Sequence, residues 1–110
     1  MRGVKNAEDR FMTDYNKAKL AQRTLYGIVD DYRTIDTLNI NQAEAFQLGA
    51  RLLEDLGEKA HRDAVIMRYH ASYPKAVLVQ DAYTRMAIRR AIECIERYIE
   101  IQGRTGVWAI

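Results

Sequence analysis

Arginine side chains cluster in the C-terminal half of this chain, where Arg85, Arg89 and Arg90 lie close together. Arg85 and Arg89 are four residues apart, so on a helix both would project from one face. Guanidinium groups neutralise phosphates and donate paired hydrogen bonds to guanine edges. Between residues 68 and 90, five basic residues stand against one acidic residue, Asp81. This pattern favours contact with a polyanion, although a solvated helix face paired with nearby glutamates would contain the same residues.

The other reactive side chains form no catalytic or metal-binding set. His61 and His70 are nine residues apart and have no acidic or cysteine partner at ligand spacing. Cys94 is the single cysteine, so it excludes an intramolecular disulfide and a cysteine-based zinc finger, and it fits a reducing compartment. No nucleophile is paired with a base, and Gly103-Arg104-Thr105-Gly106 lacks the lysine of a phosphate loop. We therefore expect a protein that is not an enzyme and uses no metal or cofactor.

Composition predicts one small helical domain over residues 1–110. Six Gly and one Pro are too few for a β-rich fold, and 48% hydrophobic with 29% charged residues argues against disorder. The net charge of +2 does not by itself indicate a partner. The longest apolar runs, such as residues 76–79, are far shorter than a membrane span, and the start lacks the apolar region of a signal peptide. We expect a cytoplasmic protein without a membrane partner.

A long first helix is predicted over residues 7–33, because apolar residues recur there at alternating steps of four and three. These residues are Phe11, Tyr15, Ala18, Leu25, Val29 and Tyr32. The spacing suits packing within the domain or a coiled-coil seam between two chains. Polar Gln22 in the stripe and the weak helix propensity of Gly27 favour packing within the chain. A homodimer through this helix remains the alternative.

A second and a third helix are predicted in the middle of the chain. Residues 34–40 mix β-branched and turn-forming types and predict a connector. Asn41, with Glu44 three residues later, has the arrangement of a capping box and predicts a helix that ends at Gly57. A third helix is expected over about residues 59–70.

Two further helices complete the predicted bundle over residues 41–103. The single proline suits the first turn of a helix, which predicts a short fourth helix over about residues 74–82. Thr84 is expected to cap a fifth helix with an isoleucine-rich buried stripe. The fold class is therefore all-α with about five helices. A short helix, a tight turn and an arginine-bearing helix, over about residues 74–102, have the order of a helix-turn-helix, whose second helix enters the DNA major groove.

Three pieces of the C-terminal half form a recurring frame. They are Ile66-Met67-Arg68-Tyr69, Ala76-Val77-Leu78-Val79-Gln80-Asp81-Ala82 and Tyr83-Thr84-Arg85-Met86-Ala87-Ile88-Arg89-Arg90. With this frame, residues 53–99 resemble region 4 of bacterial sigma factors and, more closely, the small phage transcriptional regulators of the ArpU and RinA kind. The chain departs from that family after Arg-Tyr, where it has His70-Ala71-Ser72 in place of the usual Gly or Asn.

The resemblance implies a sequence-specific DNA-binding transcriptional regulator of the kind phages encode, with double-stranded DNA as its partner. Its DNA-contacting positions fall on Thr84, Arg85, Met86, Arg89 and Arg90 for bases, and on Lys75 and Arg68 for phosphates. One alternative is a small interaction or inhibitor protein whose partner is RNA polymerase, a sigma factor or a nuclease. Another is a phage DNA-packaging assembly protein that oligomerises through the first helix.

Overall fold

The protein is largely helical, and two short strands lie between its helices. The structure, a computed structural model, describes residues 7–31, 33–73, 75–77 and 79–105, with side chains for 14–31, 33–73, 77 and 79–103. Its elements are α1 (Ala7–Asp31), β1 (Ile35–Thr37), α2 (Ile40–Glu54), a 3₁₀ helix (Gly57–Ala60), α3 (His61–Ser72), β2 (Lys75–Val77) and α4 (Ala82–Thr105). The predicted helical class is confirmed, but the described residues form four α-helices rather than about five.

The first helix follows its prediction closely, and its apolar stripe is used inside the chain. Ala18, Leu25 and Val29 are buried, as are Ala21 and Ile28 beside them. This stripe packs against α2 and α4. The polar interruption in the stripe also has an internal partner, because Gln22 donates a hydrogen bond to Glu96 of α4. The described part of α1 therefore packs within the protein, as the interrupted spacing indicated.

The second helix begins two residues earlier than predicted. Asn39, not Asn41, is the N-cap: its side chain accepts a hydrogen bond from the Gln42 backbone at 2.8 Å. The Gln42 side chain in turn accepts from the Asn39 backbone at 2.9 Å. This is the reciprocal capping box with glutamine in place of glutamate. The predicted end at Gly57 is three residues too late, because α2 ends at Glu54 and Gly57 begins the 3₁₀ helix. Gly57 has a φ of 80°, a conformation that glycine adopts without strain.

The predicted fourth helix is wrong. Residues 75–77 form β2, which pairs antiparallel with β1 so that Ile35 opposes Val77. Val77 is fully buried, as is Val79 in the turn that follows. The connector predicted over residues 34–40 likewise contains a strand that the prediction lacks, β1. Without a helix at 75–77, residues 74–102 do not form the predicted helix-turn-helix.

The last helix carries the core. Ala87, Ile88, Ala91, Ile92 and Ile95 are buried along one face of α4. The fully buried Phe46 and Leu53 belong to the same cluster, as does Met67 of α3. α4 runs antiparallel to α1, because its N-terminal end lies beside the C-terminal end of α1. It continues to Thr105, so the predicted stop at Gly103 is wrong.

Gly49 lets α2 approach its neighbours closely. A Cβ atom at this position would lie 2.9 Å from Ala91 of α4 and 3.0 Å from Met67 of α3. Real Cβ atoms rarely come so near another carbon, so the contact between these three helices depends on the missing side chain. The approach brings α3 and the first half of α4 together on one surface of the molecule.

Candidate nucleic-acid interface

The start of α4 is fixed by Asp81. Its carboxylate accepts hydrogen bonds from the Thr84 backbone at 3.0 Å and from the Thr84 hydroxyl at 3.2 Å. An acidic side chain in this position satisfies free N–H groups of the first turn and interacts favourably with the positive end of the helix dipole. Thr84 is only 7% exposed. The residue predicted to cap the helix and to read bases is therefore placed inside a cap that Asp81 makes.

Arg85 lies between α4 and α1 and contacts the protein's own backbone. Its Nη1 donates a hydrogen bond to the Val29 carbonyl at 3.0 Å. That carbonyl belongs to the last turn of α1, where carbonyl groups lack helical partners and the helix dipole is negative. Arg85 thus supplies both a donor and a positive charge to the C-terminal end of α1. The structure does not bring it together with the exposed residues of α4.

Met86, Arg89 and Arg90 do lie together on the outer side of α4, and all three are exposed. Arg90 forms an ion pair with Asp63 of α3, with Nε 3.3 Å from Oδ2. Two turns before Arg90, Tyr83 is 56% exposed. These contacts join α4 to α3 along one edge.

Arg62 of α3 completes this surface. Its guanidinium carbon lies 4.9 Å from the centroid of the Tyr83 ring, within the range of a cation–π contact. We call the set of exposed residues around this contact the α3–α4 face. It consists of Arg62, Tyr83, Met86, Arg89 and Arg90.

Two of these residues escaped the sequence prediction for different reasons. Tyr83 lies three residues before Met86 and seven before Arg90, so helical spacing alone could have placed it on their side of α4. Arg62 is more than 20 residues away in the chain. Only the packing of α3 on α4 brings it to this surface, and no local pattern signals that.

The two residues predicted for phosphate contact are not part of the face. Arg68 forms an ion pair with Glu54 of α2, which directs it away from α4. Lys75 belongs to β2, and its side chain lies outside the described side chains. Of the seven predicted DNA-contacting residues, the structure therefore brings together Met86, Arg89 and Arg90.

Charge is strongly segregated over the described side chains. Taken together they carry 12 Lys and Arg against 13 Asp and Glu. Within residues 59–92 the described side chains include six basic residues and two acidic ones, Asp63 and Asp81. Asp63 is buried and paired with Arg90, while Asp81 caps α4. Arg68 and Arg85 are engaged with Glu54 and the Val29 carbonyl, so the positive charge of the α3–α4 face comes from Arg62, Arg89 and Arg90.

The acidic residues of α4 begin with Glu93, which is exposed one turn after Arg89, and continue with Glu96 and Glu100. Glu96 accepts hydrogen bonds from Tyr26 at 2.6 Å and from Gln22 at 3.1 Å, both on α1. The pKa of Tyr26 is raised chiefly by its hydrogen bond to Glu96. The phenol therefore keeps its proton at neutral pH and donates this hydrogen bond. These bonds hold α1 on α4 and engage the carboxylate of Glu96 within the chain.

Two further titratable groups, Cys94 and His70, are partly buried. Burial raises the pKa of the Cys94 thiol, which makes it a poorer nucleophile. Burial lowers the pKa of His70, whose ring meets Phe46 edge-on and whose Nδ1 has no hydrogen-bond partner among the described residues. Among the side chains that the structure describes, no three His, Cys, Asp or Glu come together as a metal site.

A cleft of about 350 Å³ lies between α1 and α2. Its mouth carries charges of both signs, with Lys17 and Arg51 against Asp14 and Glu44. The described residues that line it include no histidine, cysteine, serine or threonine. The cleft mixes charges of both signs, whereas the charged residues of the α3–α4 face are all arginines, so the face is the stronger candidate site.

Comparison with known proteins assigns no family to this chain. No family model, curated protein or solved structure matches the chain. Within the described ranges, no helix has both the length and the apolar character needed to cross a bilayer.

Proposed function

We propose that this protein binds double-stranded DNA through the α3–α4 face. The observation that carries the proposal is the charge segregation. The α3–α4 face has three arginines, Arg62, Arg89 and Arg90, and the carboxylate paired with it, Asp63, is buried. The described side chains outside residues 59–92 include six basic and eleven acidic residues. A positive surface of this kind attracts the phosphate backbone and aligns the protein on it.

The side chains of the face suit groove contact by a single helix. Met86 lies at the centre, with Arg89 on one side and Arg90 on the other. An α-helix fits the DNA major groove, in which arginine recognises guanine and an apolar side chain contacts the thymine methyl group. Arg62 lies at the edge of the face, where phosphate contact is the natural role. In this proposal α4 reads bases without the preceding short helix of a helix-turn-helix.

A role in transcription extends this proposal. It rests on the resemblance to the phage regulators and to sigma region 4, whose base-reading residues match Met86, Arg89 and Arg90 here. Selection of bound fragments from a random pool of duplexes tests it. We expect enrichment of one sequence in the parent protein and loss of that enrichment in Arg89→Ala.

The direct test is duplex binding as a function of salt. We expect affinity to fall steeply as salt rises, and Arg89→Ala or Arg90→Ala to weaken binding about tenfold. Arg23→Ala is the matched control, because Arg23 is an exposed helical arginine on α1, outside the face. Equal binding by all three variants and the parent protein would refute the proposal.

A protein partner is the second candidate, favoured by the apolar exposure around the face. Met86, Val65 and Tyr83 are each about half exposed, and methionine, tyrosine and arginine are enriched in interface cores. A subunit of RNA polymerase with an acidic surface would suit this combination. Absence of duplex binding, together with salt-resistant capture of such a subunit that Met86→Ala abolishes, would favour this candidate.

A further inference from the structure

A row of exposed aromatic rings runs along α3 from the α3–α4 face. Tyr69 and Tyr73 are 57% and 63% exposed, and their ring centroids are 5.3 Å apart. Arg62 precedes Tyr69 by seven residues, which is two helical turns or about 10 Å, so both lie on the same edge of α3. Arg62 also covers the ring of Tyr83. The three tyrosines therefore follow one line that begins at the start of α4.

The surroundings of this line are positive. Asp63 is the sole acidic residue among the described residues 59–80, and it is buried beside Arg90. Arg62 lies within the line, and Lys59 is exposed in the 3₁₀ helix that precedes α3. A partner that covers these rings would meet Arg62 and no exposed carboxylate of α3.

Aromatic rings in a positive surround fit an unpaired nucleic-acid strand better than a duplex. A duplex presents base edges and phosphates, so its bases cannot stack on a protein ring. Bases of a single strand expose their faces and stack on tyrosine, while arginine and lysine follow the backbone. A protein segment could also cover the rings, but the cations favour a polyanion.

We propose that Tyr83, Tyr69 and Tyr73 bind unpaired bases of a strand that continues from the duplex on α4. The preferred ligand is then a junction between double-stranded and single-stranded DNA. This inference rests on the proposed function, because the duplex part of the junction occupies Met86, Arg89 and Arg90.

The test compares three probes by fluorescence anisotropy. The first is a duplex of about 12 base pairs. The second is the same duplex with a single-stranded oligo(dT) overhang of about eight nucleotides, prepared once as a 3′ overhang and once as a 5′ overhang. The third is the oligo(dT) alone. We expect the overhang of one polarity to strengthen binding about tenfold. Tyr69→Leu should remove that gain, and Tyr69→Phe should keep it, since phenylalanine retains the stacking ring. Circular dichroism confirms that both variants are folded.

A second readout identifies the contact directly. When 5-iodouracil replaces thymine in the overhang, irradiation should crosslink it to a peptide containing Tyr69, Tyr73 or Tyr83. Crosslinks confined to other peptides would overturn the assignment of the tyrosine row, as would an overhang gain that survives Tyr69→Leu and Tyr83→Leu.

The outcomes separate this inference from the proposed function. Duplex binding that depends on Arg89 but gains nothing from an overhang overturns the junction and keeps the duplex site. Oligo(dT) binding that depends on Tyr69, without duplex binding, supports the tyrosine row and refutes the duplex site. Absence of binding to every probe overturns both and leaves the protein partner.

Discussion

Substitution of Arg85 distinguishes a structural role from a DNA-binding role. The sequence places it with Arg89 as a base-reading residue, whereas the structure shows its guanidinium bonded to the Val29 carbonyl. We therefore expect Arg85→Ala to lower the stability of the protein while changing duplex affinity little. Arg89→Ala should do the reverse, although the two residues are one turn apart on α4.

The size of the stability loss follows from the contact. A hydrogen bond with a charged donor contributes about 1.5–3 kcal/mol, and a cation at a helix C-terminus adds about 0.3–1 kcal/mol at an exposed site. Arg85 is half-buried, so water replaces part of the lost interaction in the variant. We expect the free energy of unfolding to fall by about 1–2 kcal/mol. For a domain of this size, that corresponds to a decrease in Tm of roughly 5–15 °C.

Urea denaturation followed by far-UV circular dichroism measures this loss, with Arg89→Ala as the matched control. Arg89 is exposed on the same helix, so its replacement should change the free energy of unfolding by less than about 0.5 kcal/mol. Duplex affinity is then measured at a temperature where all three proteins are folded. There, Arg85→Ala should bind within about twofold of the parent protein, in contrast to the loss of about tenfold for Arg89→Ala.

Two results would refute this reasoning. Unchanged stability in Arg85→Ala would mean that the bond to Val29 does not hold α4 on α1 in solution. Loss of duplex affinity in folded Arg85→Ala, equal to that in Arg89→Ala, would return Arg85 to the base-reading role that the sequence predicts.

Further predictions concern packing and pH. Gly49→Ala should destabilise the protein by about 1–3 kcal/mol in urea denaturation, since its Cβ would crowd Ala91. Gly27→Ala meets no atom within 4 Å at an exposed position four residues before the end of α1 and should instead stabilise the protein by about 0.5–1 kcal/mol; equal signs for the two glycines would contradict the packing. Burial lowers the pKa of His70, so the unfolded chain takes up its proton first and stability should decline as pH falls below about 6.5. Thermal melts from pH 7.5 to 5 should show a smaller decline in His70→Leu than in the parent protein, whereas an unchanged decline would exclude this origin; exposed His61→Gln is the control.

Helices with a long apolar period could be predicted from the sequence, because their burial pattern repeats over many turns. α1 begins at Ala7 as predicted and ends at Asp31, within two residues of the expected boundary. Helix ends that depend on one or two polar side chains were harder to predict from the sequence. Asn39 and Asn41 both suit a cap, and the choice depends on which glutamine or glutamate can reach back.

The strand at residues 75–77 could not be predicted with the same rules. Its three residues are too few to show a period, and its stability depends on pairing with Ile35, about 40 residues earlier in the chain. Val77 and Val79 contain the β-branched signal, but the proline before them also suits a helix start. Long-range pairing decided between two locally acceptable structures.

The candidate site was predictable only in part for a related reason. Exposure of Met86, Arg89 and Arg90 follows from their positions on an amphipathic helix. Sequence spacing alone does not show that Arg85 meets a free carbonyl of α1, nor that Arg62 arrives from α3. Both depend on how helices far apart in the chain pack together.

The pairing of β1 with β2 determines how the protein can be dissected. Each half of the chain contributes one strand, so a fragment that starts at Gly57 would keep α3 and α4 but leave β2 without its partner. Such a fragment would also expose Ile88 and Ile95, which α1 and α2 help to cover. Deletion of α1 would therefore report on loss of the native state rather than on self-association. Point substitutions in the full chain, rather than excised pieces, are the means by which binding by α3 and α4 can be studied.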